Sequence, residues 1–170
     1  HSTHTSGLSH GISDEAVYMQ RIDAVNYALH NDDGITAKHF DNAEIVLIGA
    51  SRSGKTPTCL YLGLQYAIRA ANYPLTEVDV NYQKLPKILE PYRDKLFGLI
   101  ISPDRLRNIR ELRRPGSEYA SLAQCQKEVR GIKALLEQEG IKYVDTSHVS
   151  VEEIAAKIME KQELKRRVLI

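Results

Sequence analysis

The sequence predicts an α/β domain, a parallel sheet with helices on both faces. Three observations carry that expectation. Short apolar runs, Ile45 to Ile48 and Leu96 to Ile101, alternate with segments of helical periodicity, as strand–helix–strand crossovers require. The first run ends in a glycine-containing loop that opens into a helix. The chain has 170 residues, 42% hydrophobic and 26% charged, which suits one soluble domain with a single core.

The elements follow in order. His1 to Ser13 is rich in His, Ser, Thr and Gly and reads as a flexible lead-in, with His1, His4 and His10 as solvated tail residues. From Asp14 to His30, Val17, Ile22, Val25 and Leu29 recur at helical spacing with Tyr18 and Tyr27; Ser13 is the candidate N-cap. Asn31-Asp32-Asp33-Gly34 stops that helix. Ile45 to Ile48 is β-branched and continuously apolar, the mark of a buried parallel strand. A helix should follow from Lys55 to about Ala70, with Pro57 tolerated in its first turn. Ala71 to Leu75 is a strand candidate, and Leu85 to Tyr92 a short helix or turn. Leu96 to Ile101 is a buried strand, Asp104 to Arg114 a helix, and Leu122 to Glu139 a long helix ended by Gly140. Ile141 to Val144 is another strand. Ser150 opens a last helix through Ser150-Val151-Glu152-Glu153, a capping-box pattern. Lys161 to Ile170 is a charged, then apolar tail. No repeat or linker divides the chain, so residues 14–170 are expected to form one domain.

Composition narrows the function classes. The net charge of +1 argues against a nucleic-acid-binding surface. No apolar run reaches the roughly 20 residues that cross a bilayer, and the start lacks a signal-peptide core. Cys59 and Cys125 fall in no metal-ligand pattern and read as reduced thiols. The expectation is a cytoplasmic protein.

Gly49-Ala50-Ser51-Arg52-Ser53-Gly54-Lys55-Thr56 fits G-x-x-x-x-G-K-[ST] at every fixed position, the phosphate-binding P-loop. Glycines let the loop turn and bring backbone N–H groups around a phosphate. The helix that follows adds its positive N-terminal end. Lys55 can reach the terminal phosphates, and the Thr56 hydroxyl can ligate Mg²⁺. Strand before and helix after supply the context that the motif needs. The fold expected is therefore P-loop NTPase-like.

Two further groups could serve phosphoryl transfer. Arg107, Arg110 and Arg114 share a helix face at i, i+3, i+7, with Arg113 beside it and Arg105 in the same ten-residue stretch. They could clamp a transferring phosphoryl group, or form a solvated basic face paired with Asp104 and Glu111. Asp32 and Asp33 could orient an acceptor hydroxyl, or serve only the turn at Gly34. The Leu96 to Ile101 strand does not end in a Walker B aspartate, and Asp79 is a substitute candidate. That argues against a motor ATPase and for a small kinase-like protein.

Several stretches resemble one family: HNDDG at His30 to Gly34, GASRSGKTPTCLYL at Gly49 to Leu62, RAANYPL at Arg69 to Leu75, KLFGLIISPDRL at Lys95 to Leu106, IRELRRPGSEYAS at Ile109 to Ser121, and SVEEIAAKI at Ser150 to Ile158. They are similar to the bacterial and plant regulatory proteins of phosphoenolpyruvate synthase and of pyruvate, phosphate dikinase, over nearly the whole chain from Gly11. The resemblance implies a bifunctional enzyme. It would phosphorylate a threonine of the target enzyme with ADP as donor, and remove that phosphate with inorganic phosphate as acceptor, releasing pyrophosphate. The nucleotide site falls on Gly49 to Thr56, the DDG segment on Asp32, Asp33 and Gly34, and the resemblance favours functional roles for these and for the arginine helix. Relatives carry an N-terminal domain ahead of the segment that starts this chain, and the ending Glu163 to Arg167 is closer to the synthase branch. Two alternatives stay open: a small-molecule P-loop kinase that prefers ATP, and an ADP-binding regulatory module without transfer chemistry. Homo-oligomer formation is also left open.

Overall fold

The structure, a computed structural model, describes residues 2–32 and 40–164, with side chains from residue 14 onward. Its elements are α1 (Ser2–His30), β1 (Ile45–Gly49), α2 (Lys55–Tyr66), β2 (Ala70–Pro74), α3 (Glu77–Tyr82), a 3₁₀ segment (Lys87–Lys95), β3 (Leu96–Ile100), α4 (Pro103–Arg113), α5 (Leu122–Glu139), β4 (Tyr143–Asp145) and α6 (Val151–Lys161). The four strands form one sheet in the order β2-β1-β3-β4, and every pair is parallel. The α/β expectation is met.

The period-two alternation of the strands divides the core. Val46 and Ile48 of β1 and Leu96 and Ile100 of β3 join Ile132, Leu135 and Leu136 of α5. Ile45, Leu47, Phe97 and Leu99 face the other way and join Leu62 of α2 and Ile154 and Ile158 of α6. Strands buried on both faces explain why β1 and β3 read as unbroken apolar runs. Cys59 and Cys125 are both free and buried, in clusters on opposite sides of the sheet.

Register brings the functional end together. Gly49 pairs with Pro74 on β2 and with Leu99 on β3, so the C-terminal ends of three strands lie side by side. Ligands of open parallel sheets bind at this edge, where crossovers diverge to opposite sides. β1 sits between β2 and β3, and its crossovers leave from such a point.

Several boundaries differ from the expectation. Helix α1 does not start at Ser13 but spans Ser2–His30. Extending an existing helix fixes one residue per hydrogen bond and avoids the nucleation cost, so residues of modest propensity can join it. Helix α2 ends at Tyr66, not near Ala70, because Ala67 turns to φ 55, its N–H bonds back to the Gly63 carbonyl and the Ile68 N–H to the Leu62 carbonyl. That early stop releases Ala70 and Ala71 to pair with Ile45 and Val46. Helix α3 was not expected; six residues are too few to show periodicity. Its capping box pairs Thr76 with Asp79, and the Asp79 carboxylate accepts from the Thr76 N–H at 2.8 Å and its hydroxyl at 3.0 Å. Asp79 is thus a capping residue, not a Walker B substitute. Strand β4 starts later than expected, at Tyr143. Gly140 ends α5 as the sequence implies, and Ser150 caps α6 by accepting from the Glu153 N–H at 3.2 Å, which is the serine half of the expected capping box.

Candidate functional site

The loop between β1 and α2 is built from two different glycine requirements. A Cβ at Gly49 would lie 2.6 Å from the Leu99 carbonyl oxygen and 3.0 Å from Ser53 Oγ, so this position is glycine because β3 passes too close. Gly54 has φ 97 and open space around it, so it is glycine for its backbone conformation. Arg52 also has positive φ, at 72. Ser51 to Thr58 line a cleft of about 360 Å³, while Gly49 and Ala50 are buried behind it.

Lys55 folds back over the loop. It is only 4% exposed, and its Nζ donates to the Ala50 carbonyl at 2.7 Å. The ammonium is therefore held where the loop curls, against the cleft. The start of α2 is fixed by Thr58, whose hydroxyl donates to Gly54 O at 2.7 Å.

One flank of the loop is carboxylate and amide. The Thr56 hydroxyl donates to Asp32 Oδ1 at 2.5 Å, and Asn72 Nδ2 donates to the same oxygen at 2.7 Å. Asn72 is fully buried on β2, so it anchors an aspartate that is itself exposed. Asp32 thus meets the P-loop although the turn reading alone gave no reason for it. Asp33 and Gly34 lie outside the described residues.

The other flank is cationic, and its arginines divide. Arg110 is fully buried. Its guanidinium donates to both Glu128 oxygens at 2.8 and 3.0 Å, to Tyr119 O at 3.0 Å and to Ser51 O in the P-loop at 3.1 Å. It also stacks 4.1 Å over the Tyr119 ring. Burial lowers its pKa, but the hydrogen bonds and charge of Glu128 outweigh that and hold it above the usual arginine value. Arg110 therefore departs from the clamp expectation: its charge is spent on the protein, where it fixes the loop. Ser51 Oγ and Tyr119 OH, 2.8 Å apart, add a second tie between the same segments. Arg113 and Arg114 are exposed and Arg107 half-buried; none of them lines the cleft. Arg114 lies 5.5 Å from the Tyr119 ring, and Arg107 contacts Asn108 Oδ1 at 3.4 Å.

Of the α4 arginines the one that lines the cleft is Arg105, in addition to Arg52 of the loop itself; Arg105 donates to the Ser147 carbonyl. It stands apart from the i, i+3, i+7 face, so face spacing pointed away from it. Asn72, Tyr119, Glu128 and Thr146 were also missed. Thr146 Oγ1 donates to Ile100 O at 3.1 Å and lies 3.4 Å from the Ser53 carbonyl. Only the RAANYPL and SEYAS stretches, which contain Asn72 and Tyr119, carried a signal. Among the described residues no cluster of three His, Cys, Asp or Glu side chains could hold a metal alone, and no helix is long and apolar enough to cross a membrane.

The chain is 53% identical over 167 residues to a phosphoenolpyruvate synthase regulatory protein of Stutzerimonas stutzeri, covering 98% of this chain and 61% of that relative. It is 53% identical over 168 residues to the protein of the same name from Ectopseudomonas mendocina, covering 99% and 62%. For the one from Pseudomonas aeruginosa the identity is 54% over 166 residues, covering 98% and 61%. The chain thus spans about three-fifths of the length of these relatives. The sequence profile described as kinase/pyrophosphorylase matches residues 1–159, and the chain belongs to that kinase/pyrophosphorylase family.

Proposed function

We propose that this chain carries the phosphoryl-transfer site of a bifunctional regulator of phosphoenolpyruvate synthase or pyruvate, phosphate dikinase. In one direction a threonine hydroxyl of the target attacks the β-phosphorus of ADP; the bond to the bridging oxygen breaks and AMP leaves. In the other, an oxygen of inorganic phosphate attacks the phosphothreonine phosphorus, the bond to threonine breaks, and pyrophosphate forms. Both are attacks of an oxygen on an anionic phosphorus, so one set of fixed charges can serve both.

The observation that carries this reading is the meeting of Asp32 with Thr56 beside Lys55. The P-loop amides and Lys55 hold the phosphates. The hydroxyl of Thr56 is a hard oxygen donor that, together with the phosphate oxygens of the nucleotide, fits Mg²⁺. Such an ion would neutralise charge on the phosphate oxygens. Asp32 is exposed, so a hydroxyl from a docked protein can reach it. We assign Asp32, with Asp33 next to it in sequence, to orienting the acceptor and taking its proton. Arg105 and Arg52 join Lys55 as cations at the cleft, and Arg107, Arg113 and Arg114 lie on the surface that a protein substrate would meet. The relatives' shared name supports the synthase as that substrate.

The test uses β-labelled ADP and the synthase, with Mg²⁺ present. Label should appear on a threonine, and inorganic phosphate should release it as pyrophosphate. Lys55→Ala should abolish both activities. Either one persisting at full rate in that variant would sink the shared site, and preference for ATP would point to the small-molecule kinase instead.

A further inference from the structure

Helix α4 presents one side to the core and another to the cleft. Leu106 and Arg110 point inward and are fully buried. Arg105 and Ile109 line the cleft, opposite Val149, Val151 and Ile154 at the start of α6. Steps of three and four residues carry the Ile109 face on to Leu112 and Arg113. At a rise of ~1.5 Å per residue these stand roughly 5 Å further along the helix, and neither lines the cleft. Leu112 is 88% exposed, more than any other large hydrophobic side chain among the described residues. Arg105 and Arg113 are exposed as well. Neither takes part in an ion pair among the described residues. A bare leucine thus sits between two unneutralised guanidinium groups, just outside the mouth of the cleft.

We propose that this outer end of α4 docks the acceptor protein, through a surface segment that carries carboxylates around one apolar side chain. The assignment rests on the protein-kinase reading above and names the surface by which the acceptor is held. Covering Leu112 removes apolar surface from water, and carboxylates beside it meet Arg105 and Arg113. A second copy of this chain fits badly, because a two-fold pairing of this face sets arginines against arginines. A small metabolite fits badly too, because Leu112 stands on an open surface and not in a concave pocket. The position of the patch is fixed: Arg110, on the same helix, donates to Ser51 O of the phosphate loop at 3.1 Å. An extended segment advances about 3.3 Å per residue, so one short stretch of the acceptor can cover Leu112 and still place a hydroxyl in the cleft.

Docking and transfer are then separable. Leu112→Ser removes the apolar contact and leaves every cleft residue in place. Steady-state transfer from ADP to phosphoenolpyruvate synthase, Mg²⁺ present, reads the difference. The KM for the synthase should rise about tenfold, the scale of one covered leucine, while kcat at saturating synthase stays within about twofold. Calorimetric ADP affinity should also stay within about twofold, which reports that the variant is folded. Arg113→Glu should raise the same KM. In the unaltered protein that KM should climb with ionic strength, and the climb should flatten in Arg113→Glu, because salt screens attraction between exposed charges. An unchanged KM in both variants, with transfer intact, overturns the docking face and leaves the phosphoryl-transfer site standing. A fall in kcat or ADP affinity in Leu112→Ser at constant KM also overturns it, since the residue then acts on the cleft. So does sedimentation of the unaltered protein as a dimer that Leu112→Ser converts to a monomer, which gives the face to a second copy. If the unaltered protein binds ADP but transfers nothing to the synthase, the protein-kinase reading fails and the docking face fails with it.

Discussion

The two flanks of the P-loop are built on opposite principles. On the Arg110 side, a charged pair is sealed away from water and both terminal guanidinium nitrogens donate to protein atoms: Glu128, Tyr119 O and Ser51 O. On the Asp32 side, one exposed carboxylate is held by a threonine and a buried asparagine. Charge that is buried and paired specifies geometry; charge that is exposed and lightly held can meet a ligand. An arginine-rich helix beside a phosphate loop suggests direct catalysis by all its cations, and the comparison teaches that at least one of them acts through the loop backbone instead.

The comparison breaks most visibly at Arg110. Arg110→Ala leaves the Glu128 carboxylate buried without its partner, and unpairing a buried ion pair costs about 3–5 kcal/mol. Thermal melting should therefore fall by roughly 10 °C or more in a chain of this size. Replacing both, Arg110→Met with Glu128→Leu, removes the uncompensated charge, and the double variant should recover much of that loss. It should not recover ADP affinity, because the tether to Ser51 O is still gone. Full recovery of both stability and affinity would mean that the pair positions nothing.

Asp32→Asn tests the opposite flank, where the expected effect is on rate. The side chain is exposed, and an amide can still bond to Thr56 or Asn72, so melting should move by no more than about 2 °C. Threonine phosphorylation should fall by about 100-fold or more, the scale of a lost general base. A variant that phosphorylates at the normal rate would remove Asp32 from the chemistry and leave it a turn residue held near the loop by accident of packing.

The difference between the flanks also explains what sequence could reveal. The strands β1 and β3, the P-loop and the helices α4 to α6 were legible because each rests on local pattern: an unbroken apolar run, fixed glycine spacing, or a cap followed by periodic apolar residues. Asp32 beside Thr56 was not legible from pattern, since it depends on Asn72 arriving from β2, 40 residues away. Nor was the burial of Arg110, which is decided by Glu128 on α5. Helical spacing put Arg110 on a face with Arg107 and Arg114, but which side of that face meets the core is set by tertiary packing. The same limit hid Arg105, whose value comes from Ser147 and the α6 wall opposite.

The smallest expected effect concerns the helix that delivers Asp32. Tyr27 lies one turn before Asn31 on α1, and the Asn31 amide donates to its carbonyl at 2.9 Å. Burial, the largest cause, pushes the Tyr27 hydroxyl up to about 12, against an opposing pull from Arg69. A group whose folded pKa is raised binds its proton more tightly when folded. Its contribution to stability is complete below pH 10, the unfolded value, and is lost as pH climbs through about 12. Urea midpoints should therefore decline across that alkaline window, and Tyr27→Phe should flatten part of the decline because phenylalanine has no proton to lose. If α1 anchors the reactive flank, ADP-dependent transfer should weaken as pH approaches about 12 in the unaltered protein and later in Tyr27→Phe. An identical alkaline profile in both proteins would detach Tyr27 from the delivery of Asp32 and leave Asn72 as its anchor.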